Sequence, residues 1–251
     1  MYAALRTHLP ASAAAFVSLT ALATLLDRMS QLNKPITASL ATEIDRRIRE
    51  LPDQRTESIR RIRREFSEQL RGAAAGDVLA LAQSLVERQR WVAYELLYHH
   101  PSGLSVLDIE QVERLGRGMD SWAAVDAFGR YISGPAWQQG LIPDDAVHRW
   151  AQSGERWWRR AALVSTVPLN LRAAGGTGDA ERTLEVCRRL ASDRDDMVVK
   201  ALSWALRALV IWDPDAVRAF LHAHGDELAA RVRREVRSKL ETGLKNPSPA
   251  P

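Results

Sequence analysis

Trp122 and Asp126 stand four residues apart, which on a helix puts both side chains on one face, one turn above the other. A carboxylate next to an electron-rich ring suits a ligand that carries or develops positive charge. The same spacing fits a core tryptophan followed by a solvated aspartate, so alone it marks a candidate only. Downstream, Trp150, Trp157 and Trp158 interleave with Arg156, Arg159 and Arg160. Arginines for phosphates and rings for sugars or bases are what a nucleic-acid surface needs. A helix with buried tryptophans and a wet arginine side has the same composition. Trp204, one turn after Lys200, lies among Ala201, Leu202, Ala205 and Leu206 and reads first as a core residue.

Two longer stretches are basic. Arg46 to Arg71 holds nine arginines against five acidic residues, and Arg231 to Lys245 six basic against two acidic. Each could grip backbone phosphates or form an ordinary solvated helix face. The histidines do not pair for a metal: His99-His100 precedes a Pro-Ser-Gly turn, and His222 and His224, two apart, diverge on a helix. Cys187 is the single cysteine, and no Cys/His spacing is that of a zinc site, so neither an internal disulfide nor a metal or other cofactor is expected.

Helix signals recur from end to end while period-two alternation is nearly absent, which predicts an all-α protein. Ser192 and Asp195 form a capping-box pattern ahead of Val198 to Val210. Asp213-Pro214 reads as a cap and first-turn proline for Asp215 to His222, and Asp179 caps a helix after the Gly175-Gly176-Thr177-Gly178 break. Four segments look related: Arg90 to Leu97, Trp122 to Phe128, Trp158 to Val164 and Val199 to Leu206. They recur about 30 to 40 residues apart, close to the period of HEAT-type helical pairs. The expected fold is therefore a HEAT-like helical-repeat solenoid, an α-α superhelix whose repeated inner helices face a concave, basic surface. The expected divisions are a divergent N-terminal helix over 1–30, the repeat domain over 31–245 and a loose Pro-rich tail over 246–251.

A composition of 46% hydrophobic and 26% charged residues excludes the disordered, collagenous and disulfide-rich classes. The net charge of +4 is carried almost wholly by arginine, since only Lys34, Lys200, Lys239 and Lys245 are lysines. Arginine suits bidentate phosphate contact, although a GC-rich genome produces the same bias. Ala11 to Leu26 is a run of small and apolar residues behind Arg6, with Ala21-Leu22-Ala23 placed like a cleavage site. One basic residue, with Ser and Thr inside the run, argues against a signal peptide, and the run is short for a membrane span. The expectation is a cytoplasmic, nucleoid-associated monomer with no membrane partner.

Ser121-Trp122-Ala123-Ala124-Val125-Asp126, Trp150 with Trp157-Trp158-Arg159-Arg160-Ala161-Ala162-Leu163, and Lys200-Ala201-Leu202-Ser203-Trp204-Ala205-Leu206-Arg207 stand in an order and spacing that resemble the bacterial alkylpurine DNA glycosylases of the AlkD type. The resemblance continues through Asp213-Pro214-Asp215 to Arg233-Arg234 and covers roughly residues 85 to 240. It implies a solenoid that holds alkylated double-stranded DNA and hydrolyses the N-glycosidic bond of cationic purines such as N3-methyladenine or N7-methylguanine. By the family pattern Asp126 is the catalytic carboxylate, Trp122 and Trp204 pack on the lesion nucleotide's sugar, and Arg160 anchors the adjacent backbone. Arg159 and Lys200 are further expected DNA contacts. Glycosylases generally flip the base out, whereas this family works on a stacked lesion at its deoxyribose. Family members place an aromatic residue of an early helix against the lesion. Here no Phe, Trp or Tyr lies between Phe16 and Phe66, so that contact is expected to be missing and bulkier adducts come into question. Two other functions share this reading: a catalytically silent relative that binds branched or distorted DNA, and a HEAT-type scaffold for a polypeptide.

Overall fold

Apolar stripes at helical spacing recur through the chain, and none of these short helices can bury its stripe alone. On the helix over Thr56–Gln69, Ile62 and Phe66 form such a stripe with Arg63 buried beside them, while Arg64 faces outward. The computed structural model describes residues 37–246, one compact unit that is all-helical, with no strand among the described residues. The helices are α1 (37–49), α2 (Thr56–Gln69), α3 (Ala75–Leu85), α4 (Arg90–His99), α5 (Ile109–Gly116), α6 (Trp122–Phe128), α7 (Gly134–Gln138), α8 (Asp144–Ala151), α9 (Arg156–Leu169), α10 (Ala180–Arg189), α11 (Asp196–Leu209), α12 (Pro214–His224) and α13 (Ala230–Thr242).

They stack in two layers. In one, α4 packs between α2 and α6, α9 between α6 and α11, and α11 against α13; in the other, α5 follows α3 and α10 lies between α8 and α12. The pairs α3–α4, α8–α9 and α10–α11 join the layers, which is the arrangement of a helical-repeat solenoid. The four related segments fall on α4, α6, α9 and α11, successive members of one layer. The run Ala11 to Leu26, the junction expected near residue 30 and residues 247–251 of the expected tail lie outside the described residues. Among the described residues no helix is long and apolar enough to cross a membrane.

Helix starts follow local chemistry. Asp179 accepts the Arg182 N–H ahead of α10, and Asp213 accepts the Ala216 N–H ahead of α12, with Pro214 in its first turn. The box expected at the start of α11 takes another form. Asp195 is itself the cap, accepting from the Met197 N–H, while its own N–H donates to Asp193 Oδ1. The glycine break is required sterically: Gly175 has φ +78°, and a Cβ on Gly176 would lie 2.3 Å from the Pro168 carbonyl oxygen.

The packing of α6 on α9 shapes the site. Every residue from Arg160 to Leu169 is buried, so α9 is the centre of the unit. After α6 the chain makes a single π turn, Gly129–Ser133, before α7, and Pro135 supplies no N–H there. A Cβ on Gly129 would stand 2.5 Å from Val164 Cγ1, and one on Gly134 2.6 Å from Pro168 Cγ, so both glycines permit close approach of α9. The Ser133 and Ser165 hydroxyls share a 2.7 Å hydrogen bond across the same seam.

Candidate active site

Ser121 caps α6, its hydroxyl accepting the Ala124 N–H at 3.4 Å, and Trp122 and Asp126 follow on the first two turns. At the helix start Trp122 has little to pack against and remains 58% exposed. Arg160 reaches Asp126 from α9. Its Nε donates to Oδ1 at 2.9 Å, and its Nη2 donates to Oδ1 and Oδ2 at 2.8 and 3.0 Å. Nη1 donates to the Met197 carbonyl, so one guanidinium ties α6, α9 and α11 together. Arg160 is only 5% exposed, and a charge that deep persists when it is paired and hydrogen-bonded.

The family pattern assigns Arg160 to a backbone phosphate. In this structure its fork is spent on Asp126 and Met197, which makes it the group that orients the carboxylate. Asp126 is about one-fifth exposed, with a side-chain accessibility of 22%. Burial lifts its carboxyl above the usual carboxylate range, and Arg160 pulls the other way by charge and by hydrogen bonding.

A cavity of about 650 Å³ opens beside Asp126. Its walls include Trp122 of α6, Trp204 of α11, Trp91 of α4, Tyr131 and Arg130 of the π turn, and Arg60 of α2. Trp204 is half-buried, packed on the core by one side and open to the cavity by the other. Trp91 is held on both sides: the Arg60 guanidinium lies over its ring at 5.0 Å, and its Nε1 donates at 3.0 Å to Glu95, which is 2% exposed. An aromatic does face the cavity from the amino-terminal side, and it is Trp91 of α4. The signal was present, because Trp91 occupies the first of the four related segments as Trp122 occupies the second.

Two expected contacts stand apart from this cavity. Arg159 donates to Asp193 Oδ2 at 2.7 Å and to the Ser153 and Gly154 carbonyls, which fastens the turn before α9 to the turn before α11. Lys200 pairs with Asp196 at 2.6 Å, one turn earlier on α11. The aromatic and basic interleaving around α9 resolves largely into core. Trp150 is 5% exposed and packs against Trp158 at 5.3 Å between ring centroids, while Phe128 meets Trp158 edge-on at 5.9 Å. Trp157 is half-buried under the Arg156 guanidinium. No group of three or more His, Cys, Asp or Glu residues suited to a metal occurs among the described residues.

Stacked helical pairs and a carboxylate-centred, aromatic-walled cleft define a helical-repeat protein equipped to receive a cationic or sugar-bearing ligand. The pattern of the DNA alkylation repair enzyme family matches residues 46–240, a span that contains every residue of this cleft, and the chain belongs to that family. No curated protein and no solved structure matches the chain.

Proposed function

We propose that the protein is a DNA glycosylase that hydrolyses the N-glycosidic bond of cationic alkylated purines in double-stranded DNA, with Asp126 as its catalytic carboxylate. The observation that carries this reading is Asp126 itself, held at both oxygens by a buried arginine and presented to a cavity that Trp122 and Trp204 wall. An N-alkylated purine already bears positive charge. It departs with the electron pair of the C1′–N bond as a neutral base, so no general acid is required. The positive charge then passes to the deoxyribose, where an oxocarbenium-like sugar meets the ionised carboxylate. Water adds to C1′, and Asp126 is placed to orient it and take its proton. The electron-rich faces of Trp122 and Trp204 add cation–π attraction of about 0.5–2 kcal/mol each, more as water is excluded.

Arg160 is a positioning residue in this scheme: it never meets substrate, but it fixes the carboxylate. Trp91 offers the cavity an aromatic face from the amino-terminal side, so a lesion there would meet rings from α4, α6 and α11. The cavity is open, which suits approach to a stacked lesion from its sugar edge.

The test is release of free base from duplex DNA carrying N7-methylguanine. Release by the unaltered protein and its loss in Asp126→Asn is the expected result. Equal release by both removes Asp126 from the mechanism. Salt-dependent DNA binding without any release favours the catalytically silent alternative, and absence of DNA binding favours the scaffold.

A further inference from the structure

We infer an anion site beside the Asp126 cavity, formed by Arg60, Arg63 and Arg130, that takes a phosphodiester of the DNA bound there; it rests on the reading that DNA occupies that cavity. The basic run 46–71 is largely neutralised by the fold. Arg46 pairs with Glu43 and Glu50, Arg47 with Glu65, Arg49 with Asp45, Arg55 with Asp53, Arg64 with Glu57 and Arg71 with Glu68. Arg60 and Arg63 are treated differently, because both converge on the single buried carboxylate of Glu95. The Nε of Arg63 is 2.9 Å from Oε2 and the Nε of Arg60 is 3.4 Å from Oε1, with Trp91 Nε1 donating to Oε1 as well. One carboxylate offsets one guanidinium, so a positive charge is left over.

Arg130 adds another. It projects from the π turn, is exposed, and meets the Tyr131 ring at 5.6 Å with no carboxylate within ion-pair distance among the described residues. These three arginines share the lining of one cavity of about 340 Å³ with Glu95, Tyr98 and Tyr131. Arg60, Arg130 and Tyr131 also line the Asp126 cavity, so the two adjoin across these side chains. Three guanidiniums against one carboxylate in a partly enclosed space are a standing demand for an anion. A phosphodiester meets it with two acceptor oxygens in the plane of a guanidinium fork. A nucleotide whose sugar lies against Asp126 carries such a group into this second cavity with the adjoining strand. The protein holds Arg63 and Arg60 in place through Glu95 and Trp91, so the site is built before DNA arrives.

The experiment is a salt titration of binding to undamaged duplex DNA by fluorescence anisotropy, with thermal melts to confirm folding. Each phosphate contact contributes about one unit to the slope of log affinity against log salt. Arg130→Gln removes an exposed side chain, so folding is retained and the slope is expected to fall by about 1. Arg60→Gln is expected to lower it similarly. Arg61→Gln removes the same charge from an exposed neighbour that lines neither cavity and should leave the slope unchanged. The site is overturned if Arg130→Gln keeps the slope of the unaltered protein, or if Arg61→Gln loses as much, since the effect would then be net charge alone. Absence of salt-dependent binding by the unaltered protein overturns the DNA reading itself, and this site with it.

Discussion

Asp126 and Arg160 lie thirty-four residues apart in the chain, yet the Arg160 Nη2 stands 2.8 Å from Asp126 Oδ1 across the seam of α6 and α9. Arg160 heads a fully buried stretch of α9, and the carboxylate it meets is the one that borders the cavity. Each charge therefore explains the other: the arginine is tolerated because it is paired, and the carboxylate is aimed because the arginine cannot move.

Acid should silence the enzyme earlier than an ordinary aspartate would. Burial raises the folded-state pKa of Asp126 above its usual 3.8, so as pH falls its carboxylate is protonated at a pH above that value. The pH profile of kcat/KM for base release is expected to fall on its acid side above pH 3.8. Arg160→Lys, which gives up the two-point grip, should move that limb further up. A limb that stays in place in this variant would show that another group governs it.

Arg160→Met leaves a largely buried carboxylate without its partner. The loss of one member of such a pair costs about 3–5 kcal/mol, to be read from urea denaturation. Asp126→Leu combined with Arg160→Met should recover much of that stability, since two apolar groups replace two charges, while base release stays absent. Full stability in Arg160→Met alone would mean that the pair is not closed in solution.

The π turn provides a third handle. Gly129→Ala places a methyl 2.5 Å from Val164 Cγ1 and must push α6 away from α9. The expected cost is about 1–3 kcal/mol in stability, accompanied by a drop in base release as Asp126 leaves the reach of Arg160. Gly76→Ala in α3 meets nothing within 4 Å and serves as the matched control, with a stability change within about 1 kcal/mol and unaltered release.

The tryptophans separate by their surroundings. Trp122 is 58% exposed, so Trp122→Ala should change stability by no more than about 0.5 kcal/mol while lowering base release about 2- to 30-fold. Trp158 packs so closely that a Cβ on Gly116 would lie 2.6 Å from its ring, and Trp158→Ala should cost about 3 kcal/mol. Paired melting curves and release rates would expose a reversed order.

Local spacing made a good part of this legible. Helical periodicity predicts an all-α chain, the four related segments mark α4, α6, α9 and α11, and the cap signals at Asp179 and Asp213 begin α10 and α12. The Trp122–Asp126 face is likewise a property of one helix. Which face meets which neighbour is different, because it depends on packing summed over repeats and on the π turn after α6. Only the tertiary structure closed Arg160 on Asp126, turned Trp150 and Trp158 into core, and brought Trp91 to the cavity wall. It alone left Arg60 and Arg63 competing for Glu95, whereas most of the other paired arginines of 46–71 find a carboxylate close by in the chain. Charge counted along a sequence cannot anticipate that competition, since Glu95 lies a whole repeat away from both arginines.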